Sequence, residues 1–141
     1  MSAPTALPPQ PLPDPDTAGF WSATADGEVR LCRCTSCRTW LQPPLERCRR
    51  CAGAVAWEPI AGTGTVYSFI VVRHQAVPGF AIPYVVALVE LDDQAGLRLP
   101  TRLVDIEPDD VRIGMRVRAE VIDHPGGEYG VPVFRPVGED S

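Results

Sequence analysis

The chain contains no lysine, and all 13 of its basic residues are arginine. That excludes Schiff-base chemistry through a lysine amine. It leaves planar, forked guanidinium donors, suited to carboxylates and phosphates, as the only permanent side-chain cations. No apolar run approaches the roughly 18 residues that a bilayer-spanning helix needs. The opening MSAPTALPPQPLPDPD has no basic segment followed by an apolar core, so no secretory signal is expected. The expected location is the cytoplasm, with thiols reduced or bound to metal. G-x-S-x-G, a Walker loop and G-x-G-x-x-G are all absent. Paired acids between the predicted elements occur at Asp92–Asp93 and Asp109–Asp110, in a predicted turn and a predicted helix start. No assembled catalytic constellation is visible, and a net charge of −5 does not favour a phosphate-backbone binder.

What is present is a 141-residue chain, 45% hydrophobic and 22% charged, as expected of a globular protein. Residues 1–15 carry prolines at Pro4, Pro8, Pro9, Pro11, Pro13 and Pro15, and read as an extended or disordered tail, or as a strap for a partner. Asp16 reads as the N-cap of a short helix over 16–27, closed by Asp26–Gly27. Phe20 and Trp21 are large for such a helix, and either fold back on the following domain or anchor another protein. From residue 65 the hydrophobic period becomes two. In TVYSFIVV (65–72) alternation places Val66, Ile70 and Val72 on one side and Tyr67, Phe69 and Val71 on the other. PYVVALVEL (83–91), LRLPTRLVD (97–105), RVRAEVI (116–122) and VPVFRPV (131–137) read as four further strands, with DDQAG as a turn and EPDDV as a helix start. Five strands in this arrangement suit a small closed barrel of the OB type. The expected fold is therefore mainly β: an N-terminal helix, a rubredoxin-like zinc ribbon over 28–59, a five-stranded OB-fold barrel over 60–137, and a short tail, 138–141.

All five cysteines fall between residues 32 and 51. Cys34-x2-Cys37 and Cys48-x2-Cys51 make two knuckles ten residues apart, and each turn aims both sulfurs at one point. Four thiolates fill a tetrahedral zinc site and leave no open position, so the metal is expected to be structural and to supply folding energy. Iron in the same cage would make an electron carrier, but no second cofactor motif accompanies it. Cys32 sits two residues before the first knuckle. It is either a thiol activated by Arg30 or Arg33, or an incidental small strand residue with no nearby histidine base. His74 and His124 both fall in loops, where solvent exposure is the ordinary outcome and a general-base role the alternative. Around the knuckles Arg30, Arg33, Arg38, Arg47, Arg49 and Arg50 outnumber Glu28, Glu46 and Glu58. They either compensate the anionic metal site or form a contact patch for an acidic partner or for phosphates.

The knuckles, the tryptophan and the segments GTGTVYSFIVVR, PYVVALVELD, IGMRVRAEV and VPVFRPV, in this order, resemble a known family. It is the zinc-ribbon plus OB-fold acyl-CoA-associated proteins, known as domain of unknown function thirty-five. The resemblance runs from Phe20–Trp21 to about Pro136. It implies Cys34, Cys37, Cys48 and Cys51 as metal ligands. Cys32 stands where a polar residue is expected, and Arg38 takes the place of a glycine, which implies a looser first knuckle. Members are partners of thiolase-like enzymes, or of hydratase and aldolase subunits acting on acyl-CoA or related thioesters, in lipid or steroid breakdown and in secondary metabolism.

The implied role is a non-catalytic accessory subunit that stabilises such a partner and helps shape its acyl-thioester channel, with acyl-CoA shared between the two. On that reading Phe20, Trp21, Tyr67, Phe69 and Phe134 are partner contacts, the last three lining the barrel face or rim, and Arg73, Arg102 and Arg135 meet CoA phosphates. The alternative is a single-stranded nucleic-acid module, since ribbons and OB barrels both occur in such proteins. An enzyme acting through Cys32 or His74 is the third.

Overall fold

The computed structural model describes residues 11–75, 79–124, 126–127 and 129–137. Residues 1–10 of the proline-rich tail and the terminal 138–141 lie outside the described residues. The helix α1, Ala18–Ala25, begins two residues after the predicted cap, with Thr17 in the N-cap position. Asp14, not Asp16, organises its entry: one carboxylate oxygen accepts bonds from the Asp16 N–H, the Thr17 N–H and the Thr17 hydroxyl at 2.9–3.0 Å. The C-terminus closes as expected at Asp26 and at Gly27, whose φ of 80° suits a residue without Cβ. Among the described residues no helix is long and apolar enough to cross a membrane.

Three antiparallel strands form the ribbon sheet. The central β1 (Arg30–Cys34) pairs with the two-residue β2 (Trp40–Leu41) on one side and with β3 (Val55–Pro59) on the other. Five more strands close a barrel: β4 (Thr63–Val72), β5 (Tyr84–Leu91), β6 (Arg98–Leu103), β7 (Arg116–Asp123) and β8 (Gly130–Pro136), in the order β4-β5-β6-β8-β7. All neighbours are antiparallel except β6 and β8, whose short parallel seam pairs Arg102 with Val133 and Leu103 with Phe134. A 3-10 turn, Pro108–Asp110, occupies the place where a helix start was expected.

One hydrophobic core serves both parts. The barrel contributes Val66, Val85, Ala87, Val89, Leu99, Val117 and Phe134, among others, and the ribbon inserts Leu31 and Trp40 into the same cluster. Polar bonds reinforce the joint: the Trp40 N–H donates to Gln94 Oε1 at 2.9 Å, and Gln94 Nε2 donates back to the Trp40 carbonyl at 3.2 Å. Gln94 lies in a turn that composition marks only as polar. On the helix side the approach is as close: a Cβ at Gly19 would stand 2.2 Å from Trp57 Nε1, so the backbone of α1 rests directly on that indole.

Two expectations about side-chain direction are corrected here. β4 contains a bulge between Val66 and Ser68, and the extra residue inverts the alternation beyond it. Phe69 and Val71 therefore pack toward the core, while Ile70 is 62% exposed. Phe134 does not line a face or rim. It is fully buried, because β8 sits between β6 and β7 and turns this ring into the barrel interior.

Candidate metal centre

Each cysteine knuckle is built the same way. β1 ends at Cys34, whose N–H donates to the Thr39 carbonyl at 2.8 Å, closing a loop around Cys37. In the second knuckle the Cys48 N–H donates to the Gly53 carbonyl at 3.0 Å, five residues on in both cases. The residue after the second cysteine of each knuckle takes a left-handed conformation, Arg38 at φ 66° and Ala52 at φ 61°. The first knuckle thus closes in spite of its non-glycine residue. Arg38 is tied down by two 2.7 Å bonds from its guanidinium to Glu58, which offset the conformational cost of roughly 1 kcal/mol.

These turns aim backbone donors at sulfur. The N–H groups of Ser36 and Cys37 donate to Cys34 Sγ at 3.3 and 3.4 Å, and the N–H of Arg50 donates to Cys48 Sγ at 3.3 Å. Such donors favour thiolate over thiol. The Cys37 N–H holds the Cys34 thiol below its ordinary range. The Thr39 hydroxyl and N–H bring Cys37 down to about 6. At Cys51 the Gly53 N–H also favours the thiolate, but the proton shared toward Cys34, Cys37 and Cys48 outweighs it and pushes this thiol up to about 11. Thiolates this close repel one another, and a cation standing among them removes that repulsion.

The geometry leaves room for that cation. The four sulfurs lie within 4.8 Å of one another, and the Cys34–Cys51 and Cys37–Cys48 pairs are 3.5 Å apart. A tetrahedral zinc with bonds of about 2.3 Å needs sulfurs about 3.8 Å apart. Gly53 keeps the cradle open, since a Cβ there would lie 3.1 Å from Cys51 Sγ and 3.2 Å from Cys34 Sγ. Donor type, number and spacing all fit a four-thiolate zinc site.

Cys32 takes no part in the cage. It is 1% exposed in the ribbon's own small core with Leu41, and its thiol donates to the Leu45 carbonyl at 3.6 Å. Much of the arginine excess braces the knuckles. Arg33 Nε donates to the Arg38 carbonyl at 2.8 Å with its guanidinium 4.5 Å over the Trp40 ring, and Arg47 donates to the Ala52 carbonyl at 3.0 Å. Arg49 and Arg50 face solvent.

The other candidate residues are dispersed. Phe20 packs against the shared core, and Trp21 meets it edge-on at 4.9 Å and approaches Tyr129 at 6.1 Å, so both fold back on the chain. Tyr67 remains 47% exposed, with the Arg98 guanidinium 3.7 Å over its ring. Arg135 is not a free phosphate donor: its two terminal nitrogens are taken by Asp105 and Glu120, which tie β8 to the strand-end turn and to β7. Arg73 is exposed, 3.9 Å from Asp109. Arg102 lies 5.3 Å over the Phe80 ring and is in no ion pair among the described residues. His74 is exposed as expected, whereas His124 is only 7% exposed, at the inner end of its loop.

Comparison with known proteins agrees with this architecture. Residues 21–58 match the ChsH2 rubredoxin-like zinc ribbon domain, and residues 57–121 match the ChsH2 C-terminal OB-fold domain. The chain is 43% identical over 135 residues to a probable enoyl-CoA hydratase alpha subunit of Thermomonospora curvata, a match covering 94% of this chain but 41% of that protein. The chain thus spans about two fifths of the length of that relative. It is 38% identical over 113 residues to a DUF35 domain-containing scaffold protein of Methanocaldococcus jannaschii, covering 77% of this chain and 69% of that protein. Among solved structures, a chain of the Ltp2-ChsH2(DUF35) aldolase superposes with a TM-score of 0.83 at 40% identity, covering 90% of this chain and 98% of the other. A cage-bearing ribbon fused to a five-stranded barrel, matched over nearly its whole length by these proteins, places the chain in the DUF35 family.

Proposed function

We propose that this chain is a non-catalytic accessory subunit of an enzyme acting on acyl-CoA or a related acyl thioester, and that its partner is a thiolase-like, hydratase or aldolase subunit. Its four-cysteine cage holds a structural zinc. The observation that carries this reading is the likeness over 98% of a chain in the Ltp2-ChsH2(DUF35) aldolase, joined to relatives described as a hydratase alpha subunit and a scaffold protein. The role fits a metal whose four positions are filled by protein, since such a site holds structure and offers no place to a substrate.

Binding would stabilise the partner and complete one wall of its acyl channel. CoA passing between the two proteins would meet Arg73, whose exposed guanidinium a phosphate can reach. Co-expression with a thiolase-like, hydratase or aldolase subunit tests the proposal. The expected result is a complex that survives size-exclusion chromatography, with thioester turnover that falls when this chain is withheld. Failure of the two proteins to associate would overturn it. So would thioesterase activity of this chain alone that Cys32→Ala abolishes.

A further inference from the structure

The bulge in β4 leaves an apolar surface on the outside of the barrel, where alternation normally puts polar groups. Beyond the bulge Ser68, Ile70 and Val72 pair across from Leu88, Val86 and Tyr84 of β5, and Leu88 and Val86 pair in turn with Pro100 and Arg102 of β6. Two hollows share Val86 on this face. One, of about 200 Å³, is floored by Ile70, Leu88 and Pro100. The other, of about 280 Å³, is lined by Phe80, Tyr84, Arg102 and His124. In barrels of this type ligands are taken on the face of the second and third strands, between the loops that follow strands one and four. Here that face is β5 and β6, and the loops are those of Phe80 and His124.

The chemistry of the track selects its occupant. Its floor offers few polar partners for base edges or sugar hydroxyls, so an apolar chain is required. Its two cations differ. Arg98 is neutralised by Glu90 at 3.1 Å, whereas Arg102, at the other end, lies on Phe80 with no carboxylate partner among the described residues. A guanidinium held on an aromatic ring beside an apolar floor is complementary to an apolar segment that carries one carboxylate. Two hollows in line along the sheet also suit successive side chains of a polypeptide better than one compact ligand.

We propose that the outer face of β5 and β6 is the docking surface for an amphipathic segment of the partner enzyme, with Ile70, Val86, Leu88 and Pro100 taking its apolar side chains and Arg102 its carboxylate. This rests on the accessory-subunit reading.

The test uses the full-length chain and the partner subunit from the co-expression experiment. Ile70→Glu and Arg102→Glu each weaken the complex by at least about tenfold, while Arg118→Glu on the exposed face of β7 leaves it within twofold. Anilinonaphthalene sulfonate, an apolar anion, probes the isolated chain independently. The wild type enhances its fluorescence, and the same two variants lose that enhancement while keeping the wild-type melting temperature. Partner affinity unchanged in both variants overturns the docking surface while leaving the accessory role intact. Absence of any wild-type complex overturns the accessory role, and the docking surface with it. Free CoA that binds the wild type but not Arg102→Glu, at unchanged partner affinity, reassigns the track to a small ligand and also overturns the proposal.

Discussion

The ribbon and the barrel are held together by different physics. The barrel buries a continuous set of aliphatic side chains and Phe134, and it closes through strands distant in sequence, β4 on β7 and β6 on β8. The ribbon has a small core of its own, Cys32, Cys34, Leu41 and Cys48 with Val55 and Trp57 packed against it, and one of its strands is two residues long. So little buried surface does not stabilise a sheet alone. A metal cage supplies the difference, and Leu31 and Trp40 couple the ribbon to the larger core. The contrast predicts that local damage to the cage spreads, because ribbon and barrel share interior side chains.

The largest expected effect is therefore Cys48→Ser. Removing a buried ligand from a structural zinc site costs several kcal/mol. Calorimetry should show the whole chain melting lower in one transition; a ribbon that unfolds while the barrel melts as before would break the coupling. Next comes Phe134→Ala, which opens a cavity where β8 closes the barrel and should cost about 3–5 kcal/mol in urea denaturation. The same variant should leave metal content unchanged, sharpening the division between the two parts.

Gln94→Ala should cost about 1–3 kcal/mol, because it leaves the Trp40 amide and carbonyl without their partners. It should also broaden the thermal transition, since the clamp joins the two parts. Smaller again is Ala52→Gly, which relieves a left-handed φ of 61° and should be neutral or stabilising by up to about 1 kcal/mol. The smallest effect concerns the barrel rim. There the Arg116 guanidinium, bonded to both oxygens of Asp92, holds that carboxyl down to about 2. A depressed carboxyl contributes stability above its ordinary range, near 3.8, and loses it as pH falls toward about 2. Asp92→Asn should flatten the acid limb of the stability curve over that interval, by a modest amount because the pair is half exposed.

Legibility in the sequence divides along the same line. The cage was readable because its information is local: two C-x2-C spacings determine where four sulfurs go. The barrel strands were readable because their alternation persists over six to ten residues. Unreadable were features that depend on a non-local partner or on a single extra residue. The bulge at Val66/Ser68 inverted the faces of Phe69 and Ile70, and Tyr-Ser-Phe-Ile carries no glycine to announce it. Phe134 looked like a rim aromatic because both faces of VPVFRPV are apolar, and only the closure between β6 and β7 assigns it to the interior. Arg135 looked available because Asp105 and Glu120 are distant in sequence. Gln94 gave no signal beyond being polar in a turn. A glutamine that follows paired acids between two strands, opposite a ribbon tryptophan, is recognisable only once the fold is known.

The most direct measurement of the central claim is the metal content of native, full-length chain purified without added metal. The account predicts one zinc per chain, absent from Cys48→Ser. Iron in the same stoichiometry, or substoichiometric metal in a chain that melts cooperatively at an unchanged temperature, would contradict it.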